Sequence, residues 1–169
     1  EVHTDNITIN VTPVVTNSNT LTVCSNDPIS IPLSATVIST FTWTASYVAL
    51  TGGAGSGSGD INEILQNITS NPEVVPYSVI PTSSLGCVGN PYIINVTVNP
   101  EPVYSGPTSY TICSGDALSI NLISPIASTW NWNASININV TGETTVNQTT
   151  TSITDVLTHS QGTSEIVIY

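Results

Sequence analysis

The stretch C-S-N-D-P-I-S-I-P-L-S-A-T-V-I-S-T-F-T-W, from Cys24 to Trp43, returns as C-S-G-D-A-L-S-I-N-L-I-S-P-I-A-S-T-W-N-W, from Cys113 to Trp132. Both copies carry a cysteine, an acid three residues on, apolar residues at every second position and a closing aromatic pair, all at an offset of 89. Further out, I-N-E-I-L at Ile61 to Leu65 answers I-T-D-V-L at Ile153 to Leu157, and E-V-V-P-Y ending at Tyr77 answers E-I-V-I-Y ending at Tyr169, now at an offset of 92. The second copy is therefore expected to hold three extra residues between Gly142 and Ile153. Self-similarity at a fixed period of this size marks a tandem array. The chain is one unit repeated.

Within a unit, short apolar alternations are divided by turn chemistry. Leu21 and Val23 lead to Cys24, S-N-D-P makes a turn, and Ile29, Ile31 and Leu33 then alternate, as do Leu118, Ile120 and Leu122. Phe41 and Trp43 stand two apart and share a strand face, and so do Trp130 and Trp132. A Gly/Ser loop from Thr51 to Gly59 precedes the strand around Ile61 to Leu65. Val75, Tyr77 and Val79, a hairpin tip at S-S-L-G-C-V-G-N and a final strand follow. Short strands at roughly 8–12-residue spacing without helical periodicity predict an all-β antiparallel sandwich. Antiparallel strands with one wet face account for the Thr, Asn and Ser opposite the apolar positions.

The text I-T-I-N-V-T near the N-terminus reappears as I-I-N-V-T-V at Ile93 to Val98. Residues 1–12 thus read as the last strand of a preceding repeat, 13–19 as a linker and 20–98 as one complete repeat. Residues 99–107 read as a second linker and 108–169 as a second repeat cut short at its C-terminus. Proline-containing connectors of this kind are semi-stiff spacers.

Only 7% of the 169 residues are charged, against roughly 25% in ordinary domains. None is Lys or Arg, and the eleven carboxylates give a net charge of −11. This balance excludes nucleic acid and anionic membrane surfaces as partners. No apolar run approaches the roughly 18 residues of a membrane span, so direct membrane insertion is not expected. The chain starts at Glu1, contains no Met and shows no signal-peptide pattern, which suggests an excised or processed piece.

The set T-V-C-S-N-D, F-T-W-T-A-S, P-Y-S-V-I-P-T-S, G-C-V-G and I-N-V-T-V-N-P resembles the PKD-like (polycystic-kidney-disease-like) repeat domain. Such repeats occur in very large bacterial surface proteins, including adhesins of gliding bacteria exported by type IX secretion. The resemblance spans the whole chain. It implies tandem immunoglobulin-like β-sandwich repeats in an extended extracellular stalk, with no catalytic role.

On that resemblance, Cys24 and Cys87 are expected to form a disulfide, which would close a long loop worth roughly 4 kcal/mol on the chain-entropy model. Two buried free thiols are the alternative. Cys113 is left without a partner. The aromatics Phe41, Trp43, Trp130 and Trp132 read as core, with a sugar-stacking platform for the tryptophans as the sharper alternative. Leu65 and Leu157 read as core too, and Tyr77 and Tyr169 resemble the tyrosine corner of such sandwiches.

Asp27 and Asp116 read as turn residues whose carboxylates accept backbone N–H bonds. The competing role is a weak calcium site near the repeat junction, although no D-x-D-x-D run is present. Apart from such calcium no cofactor is expected. The loop from Gly52 to Gly59 lacks the lysine of a phosphate loop. Sequons at Asn6, Asn10, Asn67, Asn95, Asn133, Asn139 and Asn147 are numerous in a chain this rich in Asn and Thr, and most read as incidental. His3 and His159 have no counterpart in the other repeat and fall in no triad or metal spacing.

The sequence therefore points to stalk repeats of a large extracellular adhesin or surface filament. The expected partners are neighbouring repeats of the same chain, with secretion or anchoring machinery and extracellular glycans as further candidates. The rival classes are a glycan- or protein-binding module and an accessory domain of a secreted enzyme.

Overall fold

The computed structural model describes residue 3 and residues 5–169. The chain falls into two compact units, Glu1–Glu101 and Pro102–Tyr169. Among the described residues there is strand and no helix. Accordingly, no helix is long and apolar enough to cross a membrane.

Unit 1 carries β1 (Thr20–Cys24), β2 (Pro28–Ile31), β3 (Ser39–Ala45), β4 (Leu50–Thr51), β5 (Ser56–Ser58), β6 (Ile61–Ile64), β7 (Gln66–Asn67), β8 (Glu73–Ser83) and β9 (Tyr92–Asn99). Five of them form one sheet in the order β1-β9-β8-β3-β5, while β2 pairs with β6 and β4 with β7. All these ladders are antiparallel except β1 on β9, which is parallel with Thr20 opposite Asn95 and Cys24 opposite Asn99.

The period-two text explains the layers. In β8 the residues Val75, Tyr77 and Val79 are fully buried while Val74 and Pro76 face out, and in β9 the same holds for Ile94, Val96 and Val98. Phe41 and Trp43 of β3 join that inner face, and Ile29, Ile31 and Ile61 of the β2–β6 ladder close over it with Leu50 and Leu65. Each such side chain contributes roughly 1.5–3 kcal/mol through burial.

Residues 13–17 are not a free linker. Thr16 N–H donates to the Ser34 carbonyl at 3.0 Å, Thr36 N–H to the Val14 carbonyl at 2.9 Å, and Asn17 Nδ2 to the Pro32 carbonyl at 2.7 Å. Val15 between them is buried in the core. Unit 2 repeats the contact, with Ser105 N–H on the Ile123 carbonyl at 2.9 Å. An apolar residue flanked by hydrogen-bonding neighbours behaves as part of the sandwich, whatever its prolines suggest. Residues 5–12, read as a strand, form none, and Ile7, Ile9 and Val11 are exposed. The same text in β9 is a strand because β8 and β1 flank it. Residues 1, 2 and 4 of that expected strand lie outside the described residues.

Unit 2 has one two-stranded ladder, β10 (Ile120–Asn121) on β11 (Ser152–Ile153), and single bridges Ala117–Val156, Trp132–Gln148 and Thr141–Thr158. Leu118, Ile120 and Ile153 are its buried cluster, with Leu122, Trp132 and Tyr169 packed against it. Trp130, Trp132, Leu157 and Tyr169 are half-buried, whereas Phe41, Trp43, Leu65 and Tyr77 are buried. The repeat alignment stops at Tyr169, so nothing in unit 2 stands where Val79, Ile94 and Val96 cover the corresponding side chains of unit 1.

The bridges also correct the position of the length difference. Trp132–Gln148 matches Trp43–Gly57, and Thr141–Thr158 matches Thr51–Gln66. The offset thus climbs from 89 at Trp43 to 90 at Thr51, 91 at Gly57 and 92 at Ile61. Three single insertions in separate loops replace the one expected block after Gly142, because paired strands hold register and loops absorb length.

A second correction concerns the disulfide: Cys24, Cys87 and Cys113 are all free thiols. Cys24 ends β1 opposite Asn99, whereas Cys87 sits in the hairpin before Tyr92. The length of β9 separates them, on the order of 20 Å at ~3.3 Å per residue. Bridged Cα atoms stand within ~7 Å.

Candidate functional site

The residues around Trp43 form the most organised polar station of unit 1. Trp43 on β3 and Tyr77 on β8 are diagonal neighbours across the ladder, with ring centroids 5.6 Å apart in an edge-to-face arrangement at 64°. Period two in I-N-E-I-L places Glu63 inward between buried Ile61 and Leu65. A carboxylate facing a core needs partners, and Glu63 has two. The Tyr77 hydroxyl donates to Oε2 and the Ala54 N–H to Oε1, the latter at 2.7 Å. Burial first, then the hydrogen bond to Glu63 and its charge, push the Tyr77 hydroxyl far above its ordinary pKa. Burial and the Glu63 charge also raise Tyr47.

Unit 2 builds the same station from matching residues. Trp132 and Tyr169 pack edge to face at 6.0 Å and 61°. The Tyr169 hydroxyl donates to Asp155 Oδ2 at 2.7 Å, Thr144 N–H to Oδ2 at 2.8 Å and the Thr144 hydroxyl to Oδ1 at 2.6 Å. Desolvation pushes Asp155 upward, but the hydrogen bonds from Thr144 and Tyr169 outweigh it and hold the carboxyl below its usual range. Tyr169 is raised, by burial and then by Asp155. In both units a buried acid ties the variable loop to the core tyrosine.

The sequence matches the PKD-like domain over residues 21–102 and again over residues 110–169. The chain belongs to the PKD-like domain family. Domains of this family are typically extracellular modules of structural or adhesive type. Among curated proteins, none matches the chain in sequence.

The two PKD-like domains differ at the indole N–H. In the second, Trp132 Nε1 donates to the Thr150 carbonyl at 3.1 Å and to its hydroxyl at 3.2 Å. In the first, Trp43 Nε1 is buried without a partner. Gly57 lies flat on that ring, where a β-carbon would come within 2.4 Å of it. An unmet buried donor costs about 1–3 kcal/mol. Beside each tryptophan is an open shelf. That of the first PKD-like domain, about 720 Å³, is walled by Ser30, Ser56, Asn62 and Glu63, and that of the second, about 240 Å³, by Thr144, Gln148, Thr150 and Thr154.

Asp27 and Asp116 occupy matched turns in the two PKD-like domains. Main-chain bonds close those turns: Asp27 N–H to the Cys24 carbonyl and Asp116 N–H to the Cys113 carbonyl, both 3.1 Å. Asn26 and Gly115 take the left-handed conformation between them, and their N–H groups donate to the carbonyls of Leu65 and Leu157 at 2.9 Å. Both aspartates are exposed. Among the described residues no three His, Cys, Asp or Glu side chains gather as a metal site. His3 meets Asp5 at 2.7 Å on the exposed N-terminal segment.

Two structural residues escaped the sequence reading. Glu63 and Asp155 were signalled by an acid at an inward period-two position in both copies. Asn67 was read only as a sequon. It is buried, its Nδ2 donates to the carbonyls of Asn71 and Val98 at 2.8 Å, and its Oδ1 accepts from Thr69. That amide is fully engaged, which leaves it no room for a glycan.

Proposed function

We propose that these PKD-like domains are stalk repeats of a large extracellular bacterial adhesin or surface filament, of the kind that serves surface adhesion and gliding and is exported by type IX secretion. They hold a distal adhesive region away from the cell and carry no catalytic centre. Their partners are neighbouring repeats and the machinery that secretes or anchors the parent chain. One observation carries this reading. What the two domains share is internal, namely the tryptophan, tyrosine and acid station and the cysteine turn, while their outward shelves differ in lining and length. Core chemistry repeated under unlike surfaces suits a spacer, since each unit must fold but none must recognise.

The unpartnered Trp43 N–H beside a hydroxyl- and amide-lined shelf favours a second reading, a glycan-binding module. A glycan array probed with the 169-residue chain separates the two. The stalk reading expects no saturable hit. A reproducible hit lost on Asn62→Ala, with the melting curve unchanged, overturns it.

A further inference from the structure

We infer that the cysteines of this fold staple each repeat to the next, pairing the thiol at the Cys24 position of one domain with the thiol at the Cys87 position of the following one. The inference rests on the array reading above. Within domain 1 the chain path defines two poles. Parallel β1 and β9 end together at the distal pole, where Ser25 N–H donates to the Asn99 carbonyl at 2.8 Å. The chain leaves there, with Asn26 Nδ2 on Glu101 Oε2 at 2.8 Å. Cys24 is exposed at this pole. The proximal pole holds the hairpin between β8 and β9. There Ser83 N–H meets the Cys87 carbonyl at 2.9 Å, and Cys87 N–H meets Ser83 Oγ at 3.1 Å. The chain comes in at this pole. Gly89 abuts Pro13 so closely that a β-carbon would stand 2.3 Å from the Pro13 carbonyl oxygen.

The connection between domains is short. Pro102-Val103-Tyr104-Ser105 occupies the place of Pro13-Val14-Val15-Thr16, with the same main-chain bond into the domain. Asn99, beside the outgoing thiol, is three peptide units from Pro102, which takes the Pro13 position beside an incoming hairpin. Three units span at most about 11 Å. A thiol next to each end of so short a tether reaches the roughly 4.4–6.8 Å Cα separation of a disulfide. The partner within one domain lies a whole strand away. Each repeat thus offers one outgoing and one incoming thiol, and Cys113 is the outgoing thiol of domain 2.

Forming the bond removes two protons and two electrons from the thiols. One thiolate attacks a donor disulfide, the second displaces the mixed disulfide, and the donor leaves as two thiols. Oxidised glutathione serves as that donor in the test.

Domain 1 closes its own core, so a tandem chain is the direct probe: residues 13–101 followed immediately by residues 13–101, joined Glu101 to Pro13 as Glu101 joins Pro102. One version keeps Cys24 of the first copy and Cys87 of the second, with Cys87→Ser and Cys24→Ser at the other two sites. Its mirror keeps Cys87 of the first and Cys24 of the second. After oxidation, alkylation and digestion at Glu, the first version should yield one cross-linked peptide pair within a monomer and the mirror none. A folded first version with both thiols alkylated, or equal cross-linking in both, overturns the staple alone. A tandem chain that does not fold as two domains overturns the array reading and the staple with it.

Discussion

The Tyr77 hydroxyl donates to the inward carboxylate of Glu63, and in the other domain Tyr169 does the same to Asp155. The pairs share one position in the repeat although one acid is longer by a methylene. The shorter Asp155 takes two bonds from Thr144, where Glu63 takes one from Ala54. The role survives the change of side chain because the loop moves to meet it.

Removing the tyrosine hydroxyl leaves a core-facing charge short of a donor. Tyr77→Phe should cost about 1.5–3 kcal/mol in a urea melt of the chain. Combined with Glu63→Gln, the loss should be clearly less than additive. Additive losses would show that the two groups act independently.

Stability should fall at both ends of the pH scale. Both tyrosine hydroxyls are raised above 10.0, mainly by burial. Their contribution is complete below pH ~10 and is lost as pH rises toward the folded values. Asp155 is lowered from 3.8. Its contribution is present above that pH and disappears as pH falls through the lower folded value. Urea midpoints across pH check this, and Asp155→Asn should flatten the acid arm.

Gly57 and Gly162 make a paired test of packing. A β-carbon at Gly57 meets the Trp43 ring, whereas at Gly162 it meets nothing within 4 Å. Gly57→Ala should destabilise by about 1–3 kcal/mol, and Gly162→Ala should stay within about 0.5 kcal/mol. Equal melting points for the two variants would contradict the seating of the indole.

The 169-residue chain should take up three alkyl groups when denatured without reductant. A Cys24–Cys87 peptide pair in the digest would mean that β9 does not separate them.

Calcium, chelator and monovalent salt distinguish diffuse screening from a site. With exposed Asp27 and Asp116 in isolated turns, calcium should raise the melting point no more than monovalent salt at matched ionic strength. A calcium-only rise would revive those aspartates as ligands.

Much of the fold was legible because period-two text is written by burial itself: Phe41, Trp43, Val75, Tyr77 and Ile94 announce an inner face in any register. Pairing is less local. I-T-I-N-V-T forms no ladder at residues 7–12, although nearly the same text is β9 at 93–98, since a strand exists only beside a partner. The Cys24–Cys87 expectation failed for a related reason. Sequence separation says nothing of which pole a turn occupies, and parallel β1 carries Cys24 away from the hairpin. The candidate site was half visible, with Trp43 and Tyr77 evident and Glu63 hidden inside a motif used only for alignment.

The parallel seam of Thr20–Cys24 on Tyr92–Asn99 has a mechanical consequence. The incoming chain leads to the start of β1 at one pole, and β9 runs out at the other. Tension along the chain therefore pulls the two strands past each other lengthwise. Their hydrogen bonds are loaded in shear and must yield together, whereas a hairpin pulled at its open end would unzip one bond at a time. A domain strung this way resists stretching far better than its modest size suggests.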